Sequence, residues 1–162
     1  MPKFLVGRDV SFFRNVAREL VEQVIQNTCV LYKVNVNETK INIYGEALNK
    51  TWHKGVELYC LINKDPESIA YEGFGPETSQ NIDFRFDREH VRERGVYPEI
   101  GDIIYFNDGY FEIDNTNEIQ FVGGIPGNDI NTDEGYDRRS WSIVCTTFMV
   151  SKSNLNIEER VN

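Results

Sequence analysis

The 162-residue sequence has no run of roughly eighteen apolar residues, so a helical membrane span is not expected. Nor is a secretory leader expected. Met1 to Arg8 reads M-P-K-F-L-V-G-R, short of the apolar stretch of about seven residues a signal peptide needs, so the chain is expected in the cytosol or in particles assembled there. Cysteine is scarce. Cys29, Cys60 and Cys145 stand far apart with no C-x-x-C pair, which argues against zinc and for buried free thiols. There are two histidines, His53 and His90, and neither has a nucleophile at a recognisable spacing. The phosphate-cradling G-x-x-x-x-G-K-[ST], the zincin H-E-x-x-H and the G-x-S-x-G elbow are all missing. Asp129-x-Asn131-x-Asp133 starts like a calcium loop. However, Glu134 stands where that loop needs glycine and Ser140 where it needs a bidentate Glu, so neither metal nor cofactor is expected.

The most informative deficit is of positive charge. From Tyr97 to Asp137 there are ten acids and no Lys or Arg, whereas the rest of the chain holds 17 bases and 16 acids. The net charge of −9 therefore sits on one segment, which should repel nucleic acid rather than grip it. Asp108, Glu112, Asp114, Glu118, Asp129, Asp133 and Glu134 are the candidate acidic face. It would be a solvated surface, a wall past which DNA slides without sticking, or a docking face for a basic partner.

Hydrophobic content of 40% and charge of 27% are globular values, and the length suits a single domain over 1–162. Residues 11–27 have helical periodicity, with Phe13, Val16, Ala17, Leu20, Val21, Val24 and Ile25 on one face and Asp9 or Ser11 as cap. That stripe is expected to pack on a sheet. A β core should occupy 28–150. It begins with strands at 28–36 and from Val56 to Asn63, followed by a loop over 67–80 and an alternating strand from Asn81 to Asp87. Asp87 should cap a short helix, Arg88 to Arg94, that Gly95 stops. Trp141 to Val150 reads as a closing strand. The polar stretch 125–140 reads as a long loop and 151–162 as a tail or short helix. Exposed Trp52 with Lys54 forms one candidate interface patch. Tyr71 and Phe74 of the 67–80 loop, and Tyr136, Arg138 and Arg139 of the later loop, form others. The expected fold is mainly β (α+β): a small antiparallel barrel or sandwich with an N-terminal amphipathic helix.

Between Pro98 and Val122 the sequence reads as three antiparallel strands. Ile103-Ile104-Tyr105-Phe106 is followed by the turn Asn107-Asp108-Gly109, then Tyr110 to Ile113, a second polar turn from Asp114 to Asn117, and Glu118 to Val122. The pattern P-x-x-G-D-I-I-Y-F-x-D-G-x-F-E-I-D in this stretch resembles the strand pair of neck proteins of contractile-tailed, T-even-like bacteriophages. The upstream order fits as well: a helix, V-L-Y-K-V, I-Y-G-E-A-L, then aromatic and basic residues. The resemblance spans roughly residues 11–125, and the family's usual member is longer after the hairpin.

The resemblance implies a structural virion protein rather than an enzyme. Its subunits would form a homo-oligomeric ring, a hexamer, on the portal end of the DNA-filled head, closing it and providing the platform for the tail. Implied partners are the portal or adaptor neck proteins, the tail or its terminator, and DNA passing the bore without specific binding, with no membrane. The location would be the neck of the virion, after assembly in the host cytoplasm. Two other readings stand beside it: a tail terminator capping the tail tube or sheath, and a metal-dependent nuclease using acids such as Asp83, Asp87, Asp108, Glu112 or Asp114.

Overall fold

The computed structural model describes residues 7–37, 39–41, 47–64, 68–72, 75–121, 140–152, 155 and 157. Helix α1 (Gly7–Glu19) runs into a π-helical segment, Leu20–Ile25. The strands are β1 (Thr28–Tyr32), β2 (Lys40–Ile41), β3 (Ala47–Asn49), β4 (Val56–Tyr59), β5 (Leu61–Lys64), β6 (Ser68–Glu72), β7 (Gly75–Ser79) and β8 (Asn81–Asp87). Helix α2 (Arg88–Arg94) follows, then β9 (Ile103–Phe106), β10 (Gly109–Phe121) and β11 (Ser140–Val150). No helix among the described residues is long and apolar enough to cross a membrane.

Seven strands form one antiparallel sheet in the order β4-β1-β9-β10-β11-β8-β5. The fold is mainly β, as the alternation of apolar residues predicts. The two end strands, β4 and β5, are consecutive in sequence and separated by Cys60 alone. One bent segment therefore gives its first half to β1 and its second half to β8. The hydrogen-bonded ladder is open between β4 and β5, yet the sheet must curl until its ends meet at Cys60, whose N–H donates to the Asn27 carbonyl at 2.9 Å.

Alternation sets what fills the roll. Ile82, Phe84 and Phe86 of β8, Phe111 and Ile113 of β10, Ile143 and Cys145 of β11, Leu31 and Cys29 of β1, Leu58 of β4 and Ile104 of β9 meet in one buried cluster. Phe84 is its hub, with ring centroids 5.9 Å from both Phe106 and Phe111. All three cysteines are buried free thiols, as expected. Asp87 caps α2 by accepting from the His90 N–H at 3.0 Å, Gly95 ends the helix at φ +66°, and Val91 joins the main core. A smaller cluster lies on the other sheet face, where Tyr32, Ile103 and Tyr110 are packed by Val30, Trp52, Tyr105, Val150, Leu155 and Ile157.

The motif around the β9–β10 hairpin resolves into separate physical jobs. Gly101 sits at φ +90°, a region costly for residues with a Cβ. Asp102 is buried and accepts two backbone N–H bonds, from Val34 at 3.0 Å and Glu99 at 2.9 Å. It thus ties the exit of β1 to the turn before β9. The positive-φ turn residues are Asn107 and Asp108, one place earlier than an Asp-Gly turn requires. Gly109 instead opens β10, where a Cβ would come within 2.9 Å of the Phe111 ring.

Several expectations are corrected. The helix starts by Gly7, so neither Asp9 nor Ser11 caps it, and of the expected apolar stripe Ala17 and Val21 turn inward while Phe13, Val16, Leu20, Val24 and Ile25 stay largely exposed. The strand read over 28–36 ends at Tyr32, with Val34 making only an isolated bridge to Trp52. The 67–80 loop contains the β6–β7 hairpin. The polar turn read at Asp114 to Asn117 is continuous strand, because β11 pairs along the length of β10 and absorbs the mismatch as register shifts, one of them between Ile113 and Asn115.

Candidate functional site

Helix α1 is mounted with its charged side inward. Arg14, Ala17, Arg18 and Val21 recur at helical spacing and are the half-buried or buried positions. Arg18 forks onto Glu93, with Nη1 to Oε1 at 2.8 Å and Nη2 to Oε2 at 2.5 Å, and its Nε donates to Glu22 at 2.9 Å. Arg14 reaches Glu89 at 3.4 Å, and Glu22 Oε1 lies 3.2 Å from Nδ1 of the buried His90. The two arginines, four apart on α1, match two glutamates four apart on α2. The guanidinium of Arg18 holds the Glu93 carboxyl below its ordinary range.

The opposite side of the helix is apolar and faces out. Phe12 is 62% exposed, Val16 46%, Leu20 48% and Val24 70%, a stripe at strict four-residue spacing, with Phe13 and Ile25 beside it. The Phe12 and Phe13 rings meet edge-on at 5.9 Å. In the π-helical segment the bonding shifts from four residues to five, which inserts a residue per turn and leaves Val21 inward while Val24 swings outward. Gln26, at φ 54°, then turns the chain into β1. Between helix and sheet lies a cavity of about 140 Å³ lined by Ala17, Leu20, Val21, Leu61, Phe86 and Trp141. At the far end of β11 Phe148 and Met149 are also exposed, but on opposite faces of the sheet, Met149 across from Phe111 and Phe148 across from Glu112. There Met149 borders a pocket of about 100 Å³ with Ile82, Phe106 and Phe111.

The predicted site residues are dispersed. Trp52 is not fully exposed. It is half-buried in the outer-face cluster, bridged to Val34, with its indole N–H buried and without a hydrogen-bond partner, so the expected exposure is corrected. Lys54 is exposed. Tyr71 lies on β6, whereas Phe74, Tyr136, Arg138, Arg139, Asp129, Asp133 and Glu134 fall outside the described residues.

The acids of β10 attract bases from elsewhere in the chain. Lys50 Nζ lies 2.7 Å from Glu112 Oε1, and an Arg88 guanidinium nitrogen 3.4 Å from Glu118. Lys33 lies 3.0 Å from Glu99 and 3.8 Å from Asp102. Asp108 accepts from the Tyr105 hydroxyl at 2.9 Å, raising that phenol above its ordinary range, and Asp114 is exposed. Burial pushes the Asp102 carboxyl up, against its two N–H donors and Lys33. Among the described residues no group of three His, Cys, Asp or Glu is placed to hold a metal ion.

The outward face of α1 was missed as a site because an apolar helical stripe normally marks core. The available signal was the matched spacing of Arg14 and Arg18 with Glu89 and Glu93.

No protein-family model matches the chain, and no curated protein matches it. Among solved structures, it is similar to a chain of the "Virion of native gene transfer agent (GTA) particle". That match has 13% identity and a TM-score of 0.44, covering 76% of this chain and 93% of the other. A TM-score of that size does not establish a shared fold.

Proposed function

We propose that this protein is a structural virion subunit of the neck, forming a ring on the portal end of the DNA-filled head. The ring would close the head and offer the platform on which the tail docks. The observation that carries the reading is the P-x-x-G-D-I-I-Y-F-x-D-G-x-F-E-I-D stretch, with the order of elements upstream of it. Its Gly101, Asp102 and hairpin turn all have structural jobs, so the motif specifies a fold rather than a reaction. A helix whose apolar side is turned to solvent is what an assembly subunit needs, and its partners would be copies of itself and adjoining neck or tail proteins. The subunit is proposed to act without catalysis, and DNA would pass it without specific contact.

The test is electron microscopy of lysates from a phage lacking the gene. Full or leaking heads beside separately finished tails are the expected result. Tails of abnormal length or with unstable ends would assign the chain to the tail terminator instead. Normal infectious particles would overturn the structural reading.

A further inference from the structure

We propose that the cavity between α1 and the sheet is a ligand site for one small, neutral aromatic molecule that carries an O–H or N–H donor, of the phenol class. The site is independent of the neck reading above. The cavity measures about 140 Å³. An apolar void of about 150 Å³ stays dry and holds one benzene-sized molecule. Protein interiors otherwise keep few voids larger than a water, because an unfilled one forfeits contacts along every wall. Two features of the chain hold this one open. Ala17 puts only a methyl group where α1 borders the cavity, and the Arg14–Glu89 and Arg18–Glu93 pairs fix the helix against α2 rather than against β5 and β8. The π-helical segment also begins here, with its buried Val21 forming a wall, and π-bulges are frequent at functional sites.

The walls set the ligand. Val21, Leu61, Phe86 and Trp141 offer an apolar enclosure, and Trp141, 36% exposed, reaches solvent at its edge. Asp87 supplies the acceptor. Its Oδ2 takes the His90 N–H at 3.0 Å, which leaves most of the lone-pair capacity of the carboxylate unspent. Burial raises the Asp87 pKa above its ordinary range, the mark of a carboxylate short of water, and such an acceptor gains most from a donor that enters with the ligand. A charged ligand is disfavoured with either sign. Arg18, also on the wall, repels a cation, and its guanidinium is committed to Glu22 and Glu93. Asp87 repels an anion, and Arg85 is exposed, so it would meet that anion only in water, where such pairs are weak.

The experiment titrates native protein at neutral pH with phenol, toluene and benzoate, reading the Trp141 indole N–H by heteronuclear NMR. Phenol should shift it saturably with a Kd on the order of 1 mM or below. Toluene should bind at least about tenfold more weakly, and benzoate should not bind. Ala17→Leu fills the cavity and should weaken phenol at least about tenfold while melting no lower than native protein; Ala17→Met takes its place if the leucine overpacks. Asp87→Asn should narrow the gap between phenol and toluene. Phenol binding that survives the filled cavity would overturn the site, as would no saturable shift with any of the three probes up to about 20 mM. Toluene or benzoate bound as tightly as phenol would overturn the ligand class.

Discussion

Gly55 offers a sharp test of the outer sheet face, where the chain that was expected to carry an exposed Trp52 patch is instead packed. A Cβ built on Gly55 comes within 2.5 Å of Val30 Cγ1 and within 2.8 and 3.0 Å of two Tyr32 ring atoms. Ala at this position therefore meets two side chains at once, one of them the buried Tyr32. The clash is steric only, since Gly55 is not among the positive-φ residues. Overpacking of this kind costs about 1–3 kcal/mol, and the shorter contact puts Gly55→Ala near 2 kcal/mol. Removing the nearest obstacle should relieve it. Val30→Ala deletes Cγ1 and loses about 1 kcal/mol of transfer energy from a half-buried site.

If the contact is real the two changes are not additive. The double variant should be less destabilised than the sum by about 1 kcal/mol, the remainder being the Tyr32 ring, which the second change does not move. Urea denaturation of the four proteins measures this directly, with m held common as a check that only stability changed. A neutral Gly55→Ala, or additivity within about 0.3 kcal/mol, would refute the packing of Val30, Tyr32 and the 50–55 segment described above.

Two further predictions concern α2 and the core. Asp87→Ala should cost about 1 kcal/mol through loss of the cap to the His90 N–H, whereas Asp87→Asn keeps a competent cap. Burial is the main cause of the raised Asp87 pKa, so its contribution to stability is fully present below the unfolded value of about 3.8 and is lost as pH rises through the folded one. Asp87→Asn should therefore lose less stability than the native protein as pH climbs just above that value, read from urea midpoints; an unchanged pH slope would refute the account. Cys29, Cys60 and Cys145 should resist a thiol reagent in the native state and react together on unfolding, since burial pushes Cys145 up to about 12 and Cys29 is raised by its hydrogen bond with Cys60 and by burial. Fast labelling of any of the three in native protein would contradict the packing of the roll.

Local grammar made much of this fold legible. The β8–α2 unit could be read because each signal is short-range: strict alternation, an Asp cap, and a glycine stop eight residues on. The hairpin position was legible for the same reason, although the pairing of Gly109 with Phe106 leaves Asn107 and Asp108, not Asp108 and Gly109, as the positive-φ turn residues. What failed depended on partners distant in sequence. Asp114 to Asn117 has turn composition, but a full-length neighbour, β11, supplies backbone hydrogen bonds that outweigh it. The seam at Cys60 carries no sequence signal, since the bend follows from β1 and β8 claiming opposite halves of one segment.

The candidate site reverses the sequence reading twice, and both reversals have one cause. The acids of the 97–137 segment stood out because no base lies near them in sequence. Folding brings Lys50 to Glu112, Arg88 to Glu118 and Lys33 to Glu99, so part of that field is neutralised across the sheet. The apolar stripe of α1 looked like core because amphipathic helices normally turn that side inward. Here two arginines find two glutamates on α2, and the ion pairs set the rotation of the helix. Exposed ion pairs are individually weak. They can hold such an orientation only if turning the apolar side outward costs little in the working state, and that condition is met when another surface covers it. Sites where burial and charge together contradict the local pattern are where a chain is most often shaped for a partner.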